Sequence, residues 1–196
     1  MNIFTLTAAD TARYRELMLE AYALAADAFV STPEERALEP ASWWTNRIAD
    51  PSGLTVSFAA ELNGELVGTV ALEYSSKPKT RHSALIVGMY VREAARGQRL
   101  GRALLQAALA HAARRPGVDV VELTVTQGNA PAIALYEAAG FLAWGTQPWA
   151  IATPSGLKGK VHMSCRLDGG SDPDGRRALQ RPERGQAADG VQRGNA

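Results

Sequence analysis

The chain has 196 residues and a formal net charge of +1, with 46% hydrophobic and 21% charged residues. This describes one ordinary globular domain, and the near-neutral charge gives no reason to expect a nucleic-acid or membrane-surface partner. One cysteine, Cys165, excludes an internal disulfide, which favours a reducing compartment and predicts a cytoplasmic protein. No apolar run approaches the roughly 20 residues of a membrane helix. The N-terminus also lacks the basic start and long apolar core of a signal peptide.

The first half of the chain predicts a short strand, several helices and a hairpin. The strand covers residues 2–6, and Thr7 can cap the helix that follows it. Two shorter helical pieces lie between residues 29 and 50. Trp43 and Trp44 are neighbours on the second piece, so we expect one in the core, whereas the other lies in the core or lines a groove. Asn63-Gly64 between two strand-like runs predicts a β-hairpin over residues 54–74.

The second half predicts a parallel crossover unit. The strand over residues 83–91 has almost no polar residue, so we expect both of its faces to be covered, and Gly88 within it indicates a bulge or a close backbone approach. A helix over 101–114 and a strand over 118–125 follow. Asn129 caps a further helix that ends at Gly140, and two last strands cover 142–152 and 160–167.

The composition changes after residue 167. Residues 168–196 are polar, punctuated by glycine and proline, and have few apolar side chains to bury. Such a segment cannot form a packed core, so we interpret it as a disordered tail. The predicted organisation is a folded domain over 1–167 and a tail over 168–196.

The junction after the central strand has the features of an anion site. The helix opens on Arg96-Gly97-Gln98-Arg99-Leu100-Gly101, and backbone N–H groups at a helix N-terminus favour a phosphate. The glycines allow close approach of the backbone, and three arginines add positive charge. The alternative is a simple turn into an amphipathic helix. The run lacks both the Gly-Lys-Ser/Thr ending of a nucleoside-triphosphate loop and the Gly-x-Gly-x-x-Gly of a dinucleotide fold.

Two runs resemble the signatures of the GNAT superfamily of N-acetyltransferases. The run 91–104 is similar to its acyl-CoA binding motif, Gln/Arg-x-x-Gly/Ala-x-Gly/Ala, set shortly after a central strand. The run 129–141 resembles its second signature, Asn-x-x-Ala-x-x-x-Tyr-x-x-x-Gly-Phe. One departure is Arg99, which stands where the family usually has a small residue. The resemblance implies a mixed α+β fold: a central mixed sheet of six to seven strands with about four helices, splayed between the two central parallel strands.

The resemblance also implies an activity, the transfer of an acetyl group from acetyl-CoA to a primary amine by direct attack in a ternary complex. Tyr136 matches the general acid that returns a proton to the departing thiolate. No metal is expected. Many relatives pair as dimers, so a homodimer is a prediction that the residues themselves neither favour nor oppose. The positions implied to contact the cofactor are Met89, Tyr90, Val91, Arg96, Gly97, Gln98, Arg99, Leu100, Gly101, Arg102, Asn129 and Tyr136.

The general base is less clearly indicated. Some members of the family carry it five residues before the conserved asparagine, and that position is Thr124 here, which cannot take a proton at neutral pH. Glu122 lies on the same strand face two residues earlier, and we select it as the catalytic candidate. Glu73, His82 and a chain of water molecules are alternatives.

Two other functions remain open from the sequence. The missing carboxylate at Thr124 is compatible with a non-catalytic module that binds acyl-CoA as a sensor or scaffold. The glycine-containing turn alone would also suit a domain that binds a nucleotide or phosphate.

Overall fold

The computed structural model describes residues 1–167, so the predicted tail over 168–196 lies outside the described residues. The strands are β1 (Asn2–Thr5), β2 (Thr55–Leu62), β3 (Glu65–Tyr74), β4 (Ser83–Val91), β5 (Val120–Thr126), β6 (Leu142–Thr153) and β7 (Gly156–Arg166). The helices are α1 (Thr11–Leu24), α2 (Pro33–Ala37), α3 (Ala41–Ile48), α4 (Leu100–Arg114) and α5 (Ala130–Ala138). None of the helices in this part of the chain is long and apolar enough to cross a membrane.

All seven strands belong to one mixed sheet in the order β1-β2-β3-β4-β5-β7-β6. Within residues 1–167, only the central β4–β5 pair is parallel, and every other neighbouring pair is antiparallel. The predicted mixed α+β fold with a central sheet of six to seven strands is therefore confirmed, with five α-helices in residues 1–167 where about four were expected. Strand β4, helix α4 and strand β5 form the expected crossover unit.

Helices pack on both faces of the sheet, and the buried core forms two clusters. On one face, α4 and α5 pack over the central strands; we call this the α4 cluster, and the buried Leu104 and Phe141 belong to it. On the other face, α1 and α3 form a second cluster around Tyr14 and Trp44, which we call the α1 cluster. Trp44 is completely buried, whereas its neighbour Trp43 is only partly buried, which agrees with the expectation that one of the two lies in the core.

Local sequence signals account for the main connections. Asn63 and Gly64 both have positive φ, 50° and 85°, as a tight hairpin turn between β2 and β3 requires. Asn129 caps α5, since its side chain accepts a hydrogen bond from the N–H of Ala132 at 3.3 Å. Gly140 follows α5 with φ of 93°, a conformation that glycine adopts without strain.

The expectation that both faces of β4 would be covered is wrong. Leu85 is 37% exposed, and Glu122 and Thr124 on β5 are also exposed. Ala84 and Ile86 point into the α4 cluster, so by alternation Leu85 lies on the opposite face. On that face α1 and α3 pack over the side of the sheet that holds β2 and β3. We call the remaining surface, which carries Leu85, Glu122, Thr124 and His162, the open face.

Candidate active site

The two parallel strands at the centre of the sheet separate partway along their length. Strands β4 and β5 are paired only at Ser83–Val120, Ala84–Val121 and Leu85–Glu122. Both strands continue beyond that point, β4 to Val91 and β5 to Thr126, without further pairing to each other. We call this opening the fork. The predicted splay between the central parallel strands is therefore present.

A bulge in β4 lies at the fork. The register between β3 and β4 shifts between Thr69 and Ala71, and Gly88 has φ of +63°. A bulge inserts one residue and changes which side chains face each side of the sheet. Before the bulge, the even-numbered residues Ala84 and Ile86 face the α4 cluster. After it, the odd-numbered residues Met89 and Val91 pack against that cluster instead. Tyr90 turns to the α1 cluster instead, so β4 bends away from β5 and leaves its inner backbone edge unpaired.

A cavity of about 960 Å³ fills the fork, a size that suits a small-molecule ligand. Its walls come from three parts of the chain. These are the end of β4 with the start of α4, the end of β5 with the start of α5, and residues 23–28, which include the last two residues of α1. Met89, Tyr90 and Val91 supply the β4 wall, as expected for a strand that a ligand pairs with.

The N-terminus of α4 opens at the mouth of this cavity. Arg96, Arg99 and Arg102 all line it, together with Gly97 and Gly101. The first N–H groups of a helix have no intrahelical acceptor, so those at the start of α4 are directed at whatever occupies the mouth. Backbone donors, a helix dipole and three guanidinium groups converge there, which is an arrangement suited to a diphosphate.

Arg99 occupies a backbone conformation that favours glycine. It is the N-cap of α4 with φ of 60° and ψ of 15°, in the left-handed region, and Gly97 has φ of +78°. A side chain with a Cβ is strained there by about 1 to 2 kcal/mol. This explains physically why a small residue usually stands at this position of the motif, and it identifies Arg99 as a strained exception.

Gln98 lies apart from the other predicted cofactor residues. Its side chain is exposed and lines a second, smaller cavity of about 320 Å³ beside Arg92 and the β2–β3 hairpin. The turn at Gly97 and Arg99 separates it from the fork. A contact between the Gln98 side chain and a ligand in the fork therefore has no support from its position.

Helix α5 brings Asn129 to the cavity but keeps Tyr136 behind the wall. Asn129, Ala132 and Leu135 line the cavity. Tyr136 is only 6% exposed and packs edge-on against Phe141, with 5.9 Å between the ring centroids. Burial raises its pKa to about 12, so the phenol keeps its proton at neutral pH.

The cavity also includes residues that the sequence did not indicate, among them Asp27, Thr126 and Lys158. Asp27 follows α1, and its carboxylate Oδ2 lies 2.6 Å from the ammonium of Lys158 on β7. The hydroxyl of Thr126 donates to the backbone carbonyl of Asp27 at 2.6 Å. These contacts hold residues 23–28 over the end of β5. Because they join parts of the chain up to 131 residues apart, no local pattern could have predicted them.

The candidates for the general base lie at different distances from the fork. Glu122 is in the last paired row beneath it and does not line the cavity. Glu73 is one strand further away and forms an ion pair with Arg47 at 3.5 Å. His82 precedes the first paired row, and seven residues of extended chain, about 23 Å, separate it from Met89.

Within residues 1–167, no group of three or more His, Cys, Asp or Glu side chains is placed to hold a metal ion. The donors in the cavity are backbone N–H groups, guanidinium groups, an ammonium and an amide. That chemistry suits an anionic organic ligand.

The fork in the mixed sheet and the arginine-rich N-terminus of α4 at the cavity are the features expected of the N-acetyltransferase class that the sequence resembles. The sequence profile described as the acetyltransferase (GNAT) family matches residues 16–141, and the chain belongs to this family. Among curated proteins, a mycothiol acetyltransferase from Thermobispora bispora is 36% identical over 136 residues, covering 62% of this chain and 42% of that protein. An L-amino acid N-acetyltransferase, AaaT, from Escherichia coli is 31% identical over 103 residues, covering 53% of this chain and 62% of that protein. The chain thus spans less than two thirds of each.

Solved structures agree with the fold. The Salmonella typhimurium protein yncA, determined with its cofactor acetyl-CoA, is 25% identical with a TM-score of 0.72, covering 90% of this chain and 99% of that one. The ribosomal-protein-alanine N-acetyltransferase from Brucella melitensis is 26% identical with a TM-score of 0.69, covering 85% of this chain and 100% of that one.

Proposed function

We propose that this protein is an N-acetyltransferase that transfers the acetyl group of acetyl-CoA directly to a primary amine. The observation that carries the proposal is the fork between β4 and β5, with the N-terminus of α4 at its mouth. An unpaired strand edge and an anion site in one cavity match a ligand with an amide-containing arm and a diphosphate. Family membership supports the same activity.

The residues present fit acetyl-CoA. A Cβ at Gly97 would meet open space, so the backbone there is accessible to a phosphate, with Arg96, Arg99 and Arg102 around it. A Cβ at Gly101 would already lie 3.5 Å from Met89 and 3.4 Å from Leu135, so a larger side chain would narrow the cavity. The pantetheine arm would pair with the free edge of β4 at Met89, Tyr90 and Val91.

The chemistry requires stabilisation of an oxyanion and protonation of a thiolate. In the proposed mechanism, a backbone N–H at the end of β4 donates to the thioester oxygen as negative charge develops on it. Asn129 contributes its amide at the opposite wall. The role of Tyr136 as general acid stays a prediction: its phenol stays protonated at neutral pH, but its ring lies behind the cavity wall that Ala132 and Leu135 form. The role of Glu122 as base stays a prediction, and its exposed position below the fork gives it little support.

The acceptor is proposed to be a primary amine on a small molecule or a peptide. The names of the curated relatives, a mycothiol acetyltransferase and an L-amino acid N-acetyltransferase, favour small molecules. The open face offers a surface on which such an amine could approach the fork. We further propose a cytoplasmic location, because acetyl-CoA is an intracellular metabolite. The homodimer stays a prediction.

The test is calorimetric titration with acetyl-CoA, followed by a CoA-release assay on L-amino acids, amino sugars and short peptides. Binding with turnover on at least one amine is the expected result. Binding without turnover would favour the acyl-CoA-binding module instead, for which Thr124 is the supporting observation. Equal competition by simple adenosine nucleotides would favour a general phosphate site. Absence of acetyl-CoA binding would refute the proposal.

A further inference from the structure

We infer that His162 on β7 is the general base for the acceptor amine, occupying the role for which Thr124 has no suitable group. This inference rests on the proposed acetyltransferase function and assigns a residue that the sequence motifs do not indicate.

Strand register places His162 one strand away from the fork, level with Thr124 on β5. Strands β5 and β7 are antiparallel, and Thr124 is directly opposite His162. Side chains of directly opposed residues project from the same face, with Cβ atoms about 5 Å apart. Thr124 is itself the first residue on the open face of β5 beyond the last β4–β5 pair, Leu85–Glu122. The imidazole therefore projects from the open face one strand away from the point where the two central strands separate, with Thr124 between them.

The surroundings orient the imidazole and leave it accessible. Trp144 on β6 packs against it, with 5.0 Å between the ring centroids and 43° between the ring planes. His162 is only partly buried, and Thr124 in front of it is exposed. Trp144 covers the β6 side of the ring, whereas the short, exposed Thr124 side chain leaves the β5 side open.

Two charged side chains of opposite sign, Glu122 and Lys160, lie near His162 on the strands β5 and β7. Glu122 on β5 lies diagonally across the strand pair, and Lys160 lies two residues earlier on the same face of β7. On β6, the neighbours are the uncharged Trp144 and Gly145. Their Cβ atoms are about 7 Å from that of His162, and within the described residues neither side chain forms an ion pair with the imidazole. Neither charge therefore occupies the imidazole nitrogens.

His162 has a better position than the other titratable groups on the open face. Glu122 is in the last paired row, whereas His162 lies two rows further along, level with Thr124, the first unpaired residue of β5 on the open face. Lys158 is engaged by Asp27. Lys160, whose pKa is lowered by partial burial, is opposite Thr126, two further rows from the last β4–β5 pair than His162.

The proton balance is complete with groups on this chain. The acceptor arrives as an ammonium, and His162 takes one proton from it and passes that proton to solvent. The free amine then forms a C–N bond to the thioester carbon, and the C–S bond breaks as the tetrahedral oxyanion collapses. Tyr136 supplies a proton to the thiolate, and the second N–H proton, lost from the new amide nitrogen, restores the phenol. The net products are the amide, CoA thiol and one proton.

Affinity labelling tests the geometry without knowledge of the acceptor. Bromoacetyl-CoA presents an alkylating carbon at the acetyl position, and attack by an imidazole nitrogen would form a C–N bond and release bromide. Peptide mass mapping is expected to place the label on His162, with protection by excess acetyl-CoA and loss of the label in His162→Gln. If CoA-protected labelling falls on another residue, or fails although the reagent binds, the inference is wrong.

Kinetics with an amine that supports turnover provides the second readout. At pH 7, His162→Gln is expected to lower kcat by about 10²-fold, a typical contribution of a general base, while the KM for acetyl-CoA is unchanged. The acid limb of the pH profile of kcat/KM should also disappear. His82→Gln is the matched control, because His82 precedes the first β4–β5 pair, far from the fork, and it should behave as wild type.

The outcomes separate this inference from the proposed function. Acetyl-CoA binding and amine turnover that survive His162→Gln with an unchanged pH profile would overturn the role of His162 while leaving the acetyltransferase activity intact. Loss of acetyl-CoA binding by the unmodified protein would refute the proposed function itself.

Discussion

Arg99→Gly is expected to stabilise the fold while weakening the binding of acetyl-CoA. Arg99 is the N-cap of α4 at φ 60° and ψ 15°, where a Cβ costs about 1 to 2 kcal/mol. Glycine removes that strain but adds about 0.4 to 1 kcal/mol of conformational entropy to the unfolded chain. The net gain is therefore roughly 1 kcal/mol, or about 2 to 4 °C in Tm for a domain of this size.

The comparison that isolates the backbone effect is with Arg99→Ala. Both variants lose the same guanidinium at the mouth of the cavity, so their affinities for acetyl-CoA should fall by a similar factor of a few-fold. Only alanine keeps a Cβ in the left-handed conformation, so thermal melting of the ligand-free proteins should rank Gly above Ala by about 1 kcal/mol. If Arg99→Ala melts at or above Arg99→Gly, the left-handed turn at the start of α4 is incorrect.

Two further substitutions test other parts of the structure. A Cβ at Gly68 would lie 3.0 Å from the carbonyl oxygen of Tyr90 and 3.1 Å from a methyl of Leu104, so Gly68→Ala should destabilise the fold by about 1 to 3 kcal/mol. Chemical denaturation measures this, and a neutral result would show that β3, β4 and α4 are not in this close contact. Tyr136→Phe should lower kcat by about 10²-fold in the CoA-release assay, and unchanged activity at every pH would exclude the proposed acid. The folded phenol has its pKa raised from 10.0 to about 12, so the folded state binds more protons between those values and wild-type stability falls as pH rises through them. The decline should be shallower in Tyr136→Phe, and an identical decline would contradict the burial of the phenol.

The family resemblance implied the fork, and the local elements that flank it could be read from the sequence. An apolar strand interrupted by Gly88, a parallel crossover through α4 and a glycine-containing turn are all encoded within about 40 consecutive residues. The same holds for the cap at Asn129 and for the turn at Asn63-Gly64, where one or two side chains determine the backbone conformation. The seven-stranded mixed sheet follows from the order of these elements.

The open face could not be predicted, since it depends on contacts between distant segments. The pairing of Thr124 with His162 requires the register of β5 against β7, two strands more than 30 residues apart in the sequence. The bulge in β6 between Ala143 and Gly145 brings Trp144 onto the imidazole, and no local pattern indicates it. The exposure of Leu85 likewise reflects helices that cover only part of that face.

The orientation of Gln98 shows a limit of motif reasoning. A motif assigns every position within it to the ligand, but a turn through two left-handed residues directs successive side chains to different sides. Gln98 lies between Gly97 and Arg99, both at positive φ, and lines the smaller cavity rather than the fork. Only the backbone geometry distinguishes it from its neighbours.

The central claim is that a thioester-bearing cofactor occupies the space between β4 and β5. Amide hydrogen exchange of the protein with and without acetyl-CoA tests it most directly. Strong protection is expected at the unpaired edge of β4, at Met89 to Val91, and at the first turn of α4, with little change in the paired rows from Ser83 to Leu85. Protection confined to other surfaces, or the same slow exchange at Met89 to Val91 in the absence of ligand, would contradict the account.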